Sequence, residues 1–284
     1  MRSFIMLIDK KLIKDIEINV ARSLSEDIGD GDITAQLIPK NVVSDALVIT
    51  REKAILCGQA WFDEVFNQLD QRVAVKWLVQ DGARLEPDQH ICTLNGPARS
   101  LLTGERVALN FLQTLSGTAT TAREYAILAS ESGVDILDTR KTIPGLRLAQ
   151  KYAVFTGGCK NHRLGLYDAF LIKENHITAC GGIKSAILKA KEISPDKPIE
   201  VEVESLLELT EALDAQVDIV MLDNFDKKMI QRAIAMNTGD TKIEISGNID
   251  KNNLSNQLIM DVDYLSSGSL TKNCQAIDFS MRLL

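Results

Sequence analysis

The chain has 284 residues, of which 45% are hydrophobic and 25% charged, with 17 glycines and 6 prolines. This composition is typical of a soluble globular protein and excludes the fibrous and disordered classes. The formal net charge of −7 argues against a broadly cationic protein that binds nucleic acid or membrane surfaces.

The cysteines and the first residues indicate the compartment. Five cysteines, an odd number with no CxxC pair, favour neither a disulfide framework nor a thiolate zinc site. The apolar run at residues 4–8 is far shorter than a signal-peptide core or a membrane span. We therefore expect a cytoplasmic protein without membrane contact.

The first part of the chain mixes helical and strand patterns. Residues 7–25 carry apolar side chains at helical spacing, which predicts an amphipathic leading helix. Strand-like segments and one further helix (58–70) follow, the strands at 46–52, 54–58, 72–79 and 90–94. A long helical stretch, 100–131, comes next and is interrupted by Gly104 and Gly117. We predict an α+β domain with a leading helix at residues 1–115.

From residue 134, apolar strand-like runs alternate with helical segments. The runs are 134–139, 169–176, 198–204, 217–224, 242–247 and 262–268. This alternation predicts right-handed βαβ units and a parallel sheet. Each run ends in polar residues, and a barrel brings such ends to one mouth, whereas a doubly wound sheet concentrates them at one switch point. We predict a (β/α) barrel of about six strands at 116–268, and a C-terminal segment, 269–284, that returns to the N-terminal domain.

The segment 140–173 differs in charge from the rest of the chain. It holds seven lysines and arginines plus His162 against one acid, Asp168, a net charge of +6. The remainder, with 25 basic and 38 acidic residues, carries −13. A solvated charged surface is the alternative, but Lys173 ends an apolar run, where a surface lysine is unusual. We expect a cationic cleft for a small polyanion, because arginine suits carboxylates and lysine suits phosphate.

Two kinds of group at the later strand ends complete the candidate site. The loops at 246–248 and 267–269 each contain glycine, and in barrels the loops after the last strands often hold phosphate, although ordinary turns use the same residues. Glu202, Glu204 and Asp223 end two adjacent strands. Buried carboxylates are costly without cations, so these groups either pair with lysine or bind Mg²⁺ or sugar hydroxyls.

These residues resemble the motifs of the quinolinate phosphoribosyltransferase family, also called carboxylating nicotinate-nucleotide pyrophosphorylases. The matching segments are EDIGDGDIT (26–34), ERVALNFLQTLSGTAT (105–120), DTRKTIPGLR (138–147), QKYAVFTGGCKNHRLGLYDAFLIKENH (150–176), EVEVES (200–205), MLDNF (221–225), EISGNI (244–249) and SGSLTK (267–272). The resemblance covers nearly the whole chain and agrees with a barrel beside a smaller N-terminal domain, an open sandwich of hammerhead-like form.

The resemblance implies a glycosyltransferase of NAD biosynthesis. Such enzymes transfer phosphoribosyl from phosphoribosyl pyrophosphate to the ring nitrogen of quinolinate, with Mg²⁺, and release pyrophosphate and CO₂ to give nicotinate mononucleotide. The residues implied to bind quinolinate are Arg106, Thr139, Arg140, His162, Arg163 and Lys173. Those implied to bind the phosphoribosyl donor are Lys141, Glu202, Asp223, Ser246, Gly247, Asn248, Ser267, Gly268 and Ser269.

The resemblance also implies which groups act in the reaction and how the chains assemble. Lys141, Lys173, Glu202 and Asp223 are the expected catalytic residues. Mg²⁺ is expected to bind mainly through the substrate, with Glu202 and Asp223 as the candidate protein ligands. A homodimer is expected, in which Arg106 completes the neighbour's site.

Two alternatives stay open at this point. One is the pyrophosphorylase-like relative found with molybdenum transport genes, but the complete carboxylate-binding set favours quinolinate. The other is a non-catalytic descendant that binds small anions, but Lys141, Glu202 and Asp223 are all present. A nucleic-acid role would require a basic stripe with stacking aromatics, and only 5% of the residues are aromatic.

Overall fold

The computed structural model describes residues 10–247, 249–259 and 261–284. The start predicted for the leading helix at residue 7, and Asn248, lie outside these residues. The helices are α1 (Lys10–Ile28), α2 (Gln59–Leu69), α3 (Ala98–Ala129), α4 (Arg147–Gly157), α5 (Glu174–Cys180), α6 (Ile183–Ile193), α7 (Leu206–Asp214), α8 (Lys227–Met236), α9 (Leu254–Gln257) and α10 (Ser269–Lys272). The strands are β1 (Val43–Thr50), β2 (Ala54–Ile55), β3 (Ala74–Trp77), β4 (Arg84–Leu85), β5 (His90–Pro97), β6 (Asp135–Leu137), β7 (Phe170–Ile172), β8 (Ile199–Val203), β9 (Ile219–Asp223), β10 (Lys242–Ser246), β11 (Tyr264–Ser266) and β12 (Phe279–Leu283).

The chain divides into two compact units. Among the described residues, the first comprises 10–124, 142–158 and 270–284, and the second comprises 125–141, 159–247, 249–259 and 261–269. This division differs from the predicted boundaries, because residues 116–124 and the segment containing α4 fall in the first unit. α4 packs against α1, and its Gln150 donates a hydrogen bond to the carbonyl of Thr271 (2.8 Å).

An antiparallel sheet of order β12-β1-β5-β3 forms the framework of the first unit. The last strand of the chain, β12, pairs along β1, with Ala46 opposite Leu283 and Thr50 opposite Phe279. The core of this unit is apolar, and Trp61 and Phe62 on α2 are fully buried in it. The C-terminal segment therefore adds an edge strand to the N-terminal sheet.

The helix α3 has 32 residues, as many as the predicted stretch 100–131, but it is more regular than the sequence pattern predicts. It runs without a break through Gly104 and Gly117. A Cβ at Gly117 would lie 2.0 Å from the carbonyl oxygen of Gln275, and one at Gly104 would lie 2.7 Å from Cε1 of Phe66. These glycines permit close packing inside a continuous helix, so the predicted interruptions were wrong.

The second unit is a parallel sheet of order β6-β11-β10-β9-β8-β7. Strands β7 to β11 lie side by side in chain order, and the first strand, β6, pairs with the last, β11, through Tyr264 opposite Asp135. An open doubly wound sheet does not bring its first strand onto its last in this way. The six-stranded, barrel-like α/β fold is therefore confirmed.

The barrel has an interruption between β6 and β7, which form no ladder with each other in the part of the chain that the structure describes. Leu137 at the end of β6 bridges in parallel to Lys160 instead. The segment after Lys160 therefore begins beside the end of β6.

None of the described helices combines the length and the apolar character that crossing a membrane requires.

Candidate active site

The carboxyl ends of β7 and β8 carry an ion pair. Lys173 directly follows β7, and its Nζ donates a hydrogen bond to Oε2 of Glu202 on β8. The lysine side chain is 41% exposed and the glutamate side chain 11%. Two residues that the sequence assigned to different substrates are therefore in contact at the mouth of the barrel.

Asp223 lies at the end of the next strand, β9. Asn224 follows it with φ of +57° and donates from Nδ2 to Oδ2 of Asp223 (2.9 Å). Gly247, after β10, has φ of +118°, which disfavours a side chain, and a Cβ there would lie 3.7 Å from Oδ1 of Asp223. The loop after β10 therefore passes close to the Asp223 carboxylate, as the adjacent strands predict.

The segment after β6 contacts the loop after β11. The backbone N–H of Lys141 donates to Oγ1 of Thr139 (3.0 Å). A Cβ at Gly268 would lie 2.8 Å from Cδ of Lys141 and 3.4 Å from Oγ1 of Thr139. The glycine therefore lets this loop approach Thr139 and Lys141, and the structure brings together two segments predicted to bind one donor.

Ser267 and Ser269 differ in how they contribute to that loop. Ser267 is 1% exposed, and its hydroxyl donates to the carbonyl of Ile249 (2.5 Å) and accepts from the N–H of Ser269 (3.2 Å). The Ser267 side chain therefore stabilises the loop through hydrogen bonds to its backbone. Ser246 is the last residue of β10 and is partly exposed.

Two arginines lie close together in this unit. Burial lowers the pKa of Arg163, and the nearby positive charge of Arg140 lowers it further, while Glu200 and Asp168 act in the opposite direction. Nη1 of Arg163 donates to the carbonyl of Ala169 (3.3 Å). Nε of Arg140 is buried and has no hydrogen-bond partner among the described residues. Two adjacent guanidinium groups with an unused buried donor favour an anionic ligand.

Below these groups lies a buried cluster that sequence reasoning did not identify. Nε2 of His162 lies 2.9 Å from Oε2 of Glu200 and 3.6 Å from Oε2 of Glu244. The register places Glu202 opposite Met221 and Met221 opposite Glu244, so Glu202 and Glu244 share the interior face of the barrel. The alternation in KIEIS (242–246) could have placed Glu244 on that face, but nothing local indicates its partners.

The electrostatics of this cluster are unusual. Glu244 is fully buried, and its burial, together with the negative charge of Glu200, raises its pKa to about 8. The candidate ligand atoms of His162, Glu200 and Glu244 all lie within 4.8 Å of one another, a spacing at which a cation could also bind. Oε1 of Glu200 and both carboxyl oxygens of Glu244 are buried without a hydrogen-bond partner among the described residues.

Arg106 lies elsewhere, on α3 in the first unit, with an exposed side chain. The cationic segment 140–173 is likewise divided. Arg147 and Lys151 belong to the first unit, where Lys151 is fully buried. Lys160 pairs with Asp135 at the start of β6. The cations of this segment left at the strand ends of the barrel are Arg140, Lys141, Arg163 and Lys173.

Comparison with known proteins agrees with this arrangement. The model of the quinolinate phosphoribosyl transferase C-terminal domain matches residues 118–282, and that of the N-terminal domain matches 32–116. The chain belongs to the quinolinate phosphoribosyltransferase family. The resemblance seen in its motifs is thereby confirmed.

Members of this family are similar to the chain over most of its length. It is 41% identical over 257 residues to a probable carboxylating nicotinate-nucleotide pyrophosphorylase of Bacillus subtilis, covering 90% of this chain and 89% of the relative. A decarboxylating quinolinate phosphoribosyltransferase of Nicotiana tabacum is 36% identical over 282 residues, covering 92% and 80%. The solved nicotinate-nucleotide pyrophosphorylase of Francisella tularensis superposes with a TM-score of 0.93 at 48% identity, covering 96% and 97%.

Proposed function

We propose that this chain transfers the phosphoribosyl group of phosphoribosyl pyrophosphate to the ring nitrogen of quinolinate, with loss of CO₂, to form nicotinate mononucleotide in NAD biosynthesis. Its family membership and its similarity to enzymes named for this reaction support the assignment. The observation that carries it in the site is the adjacent pair Arg140 and Arg163, with the buried, unused Nε donor of Arg140. A planar dicarboxylate such as quinolinate supplies the charge and acceptors that this pair needs.

The quinolinate side of the site is formed by the cations around β6 and β7. Arg140 and Arg163 hold the two carboxylates, with Thr139 beside them and Lys173 at the end of β7. The contact of Lys173 with Glu202 couples this side to the sugar side. Because charge-assisted bonds orient as well as attract, these groups place the ring nitrogen toward the sugar carbon.

The donor side is formed by the ends of β8 to β11. Lys141 and the glycines of the loops at 246–248 and 267–269 face the phosphates, while Glu202 and Asp223 hold the ribose hydroxyls. The carboxylate oxygens of Glu202 and Asp223 are the hard donors that Mg²⁺ prefers, so these residues would also hold the metal carried by the donor. A metal held by these residues would supply positive charge to the pyrophosphate.

The reaction follows from these placements. As the bond from the sugar carbon to pyrophosphate breaks, Lys141 stabilises the negative charge that develops on the leaving group. The ring nitrogen attacks the sugar carbon, and the nitrogen becomes cationic. The adjacent carboxylate then leaves as CO₂, its electron pair remains on the ring carbon, and that carbon takes a proton.

Assembly and location are part of the same proposal. The exposed Arg106 on α3 completes the site of a second copy in a homodimer, which supplies a further cation for quinolinate. The enzyme acts in the cytoplasm, in keeping with five cysteines that form no disulfide.

The test is a single incubation of the chain with quinolinate, phosphoribosyl pyrophosphate and Mg²⁺. We expect nicotinate mononucleotide and CO₂ in equal amounts, no product with nicotinate in place of quinolinate, and loss of turnover when a chelator removes the metal. Binding of quinolinate without product would refute the proposal and favour a non-catalytic anion-binding protein.

A further inference from the structure

Both ring nitrogens of His162 have contacts inside the second unit. Nδ1 accepts a hydrogen bond from the backbone N–H of Arg163 (2.7 Å), so the ring proton lies on Nε2. Nε2 faces Oε2 of Glu200 at 2.9 Å. The side chain is only 10% exposed. The ring therefore connects the floor of the barrel to the peptide of Arg163.

The backbone on both sides of Arg163 is fixed in the same manner. The N–H of His162 donates to Oδ1 of Asp138 (2.9 Å). The N–H groups of Leu164 and Gly165 donate to the carboxylate of Asp168 (2.7 and 2.9 Å). Four consecutive backbone N–H groups, those of residues 162–165, thus donate to side-chain acceptors, and the acceptor for Arg163 is the His162 ring. The orientation of that ring decides the orientation of the Arg163 peptide.

We infer that Glu200 is a positioning residue of the quinolinate site, which holds the His162 ring so that the ring in turn fixes Arg163. Fully buried Glu244 lies beside the same ring and closes the cluster from β10. The inference rests on the proposed function only for the identity of the substrate.

The kinetic test compares Glu200→Ala, His162→Ala and the double variant, with quinolinate and the donor varied in turn. We expect each single variant to raise the quinolinate KM roughly tenfold, the factor that corresponds to about 1.4 kcal/mol, while the donor KM changes little. The double variant is expected to be no worse than either single variant, because the two residues act as one unit. Losses that multiply, or an unchanged quinolinate KM in Glu200→Ala, would overturn the inference.

Conservative variants separate this role from a general loss of structure. Glu200→Gln keeps an acceptor for Nε2, and His162→Gln keeps a donor toward Glu200, so both are expected to recover most of the lost affinity for quinolinate. Glu211→Ala, an exposed glutamate on α7 of the same unit, is the matched control and is expected to behave like the parent chain. Glu200→Gln as impaired as Glu200→Ala would contradict the inference.

A spectroscopic readout does not depend on turnover. The chain has three histidines, so ¹⁵N-labelled histidine gives few ring signals, and the His162→Gln variant assigns those of His162. We expect a protonated Nε2 and an unprotonated Nδ1 in the parent chain, and ring signals that change in Glu200→Ala. A His162 ring signal that is the same in Glu200→Ala as in the parent chain would overturn the inference, whether or not the chain turns quinolinate over.

Discussion

Lys173 and Glu202 form the ion pair that links the two substrate sides of the barrel mouth. The glutamate is mostly buried, so removal of the lysine leaves a carboxylate without its partner in a poorly solvated position. The same lysine is one of the cations that we assign to quinolinate. Its loss therefore affects both the charge balance of the site and the orientation of the substrate.

We predict that Lys173→Ala lowers kcat/KM for quinolinate by about a hundredfold or more, because charged hydrogen bonds contribute roughly 1.5–3 kcal/mol each and we assign this lysine one bond to Glu202 and one to quinolinate. The matched control is Lys242→Ala. Lys242 also pairs with a carboxylate, Asp263 (2.8 Å), but it is the first residue of β10 and therefore lies away from the carboxyl ends of the strands. Steady-state kinetics decide the matter, and equal losses in both variants would remove Lys173 from the site.

The raised pKa of Glu244 leads us to predict that the stability of the chain depends on pH. Its pKa is raised from 4.5 to about 8, so the folded chain binds more protons than the unfolded chain between these values. The free energy of unfolding must therefore fall as the pH rises through that window. The groups that face Glu244 are Glu200, His162 and Ser266.

The Glu244→Gln variant tests this dependence, since the amide carries no charge at any pH. We expect its urea-unfolding free energy to decline less steeply than that of the parent chain between pH 5 and pH 8. Glu86→Gln, which replaces an exposed glutamate, is expected to follow the parent. Identical slopes for Glu244→Gln and the parent would show that Glu244 ionises normally.

The positions of the residues at the strand ends could be predicted. An apolar run that closes with Lys173, Glu202 or Asp223 indicates a buried strand with a polar residue at its carboxyl end. The partners of Glu244 could not be predicted. The alternation in β10 places its side chain in the interior, but His162 reaches it from a loop that has no periodicity. Ser267 shows a further limit, because a serine next to a glycine gives no sign of whether its hydroxyl faces a ligand or the loop's own backbone.

At the level of secondary-structure elements, the glycines of α3 lie where other segments pack closely against the helix. Gly117 lies where the carbonyl of Gln275, in the segment leading to β12, approaches the helix. Glycine in a helix interior costs about 1 kcal/mol relative to alanine, and so a helix propensity argument treats it as a break. The contact that requires it comes from a segment more than 150 positions later in the sequence, which no local pattern reveals.

We predict that Gly117→Ala destabilises the chain although alanine favours helix. The new Cβ would lie 2.0 Å from a backbone oxygen, so the helix or the C-terminal segment must shift, at a cost of about 1–3 kcal/mol or more. Gly239→Ala is the control, because a Cβ there meets nothing within 4 Å. Urea unfolding measures both variants, and a Gly117→Ala variant as stable as the parent would refute the packing argument.

At the level of the whole molecule, the order of elements predicted the barrel, whereas the division of the chain into units was not predictable from local pattern. The alternation of strands and helices after residue 134 implied a parallel sheet, and polar residues at every strand end implied closure. The helix α4 lies between β6 and β7 in sequence yet belongs to the first unit. That assignment depends on contacts with α1 and with Thr271, which lie far away along the chain.

The distribution of charged residues over the fold describes the site better than the net charge of −7 does. The +6 segment is divided between the two units, since Arg147 and Lys151 belong to the first, and Lys160 is paired with Asp135. The cations near the mouth of the barrel are few and include two adjacent arginines. A further cation for a dianionic substrate would therefore strengthen the site, and the proposed homodimer supplies it as Arg106 of a second copy.

This assembly is testable by mixing two inactive variants. In a mixed dimer of Arg106→Ala and Lys173→Ala chains, one site combines an intact barrel with an intact Arg106, and the other site carries both changes. Random pairing makes half of the dimers mixed, so we expect about a quarter of the parent activity to return. Co-expression with two different affinity tags isolates the mixed dimers, in which about half of the activity is expected.

The control pairs the Arg106→Ala chain with a chain that carries both substitutions. No combination of those two chains contains an intact barrel beside an intact Arg106, so no activity should return, although the dimers and their concentrations are the same. Recovery in the first mixture and not in the second requires Arg106 to act across the dimer. Absence of recovery in isolated mixed dimers would instead place Arg106 in the site of its own chain or outside the site altogether.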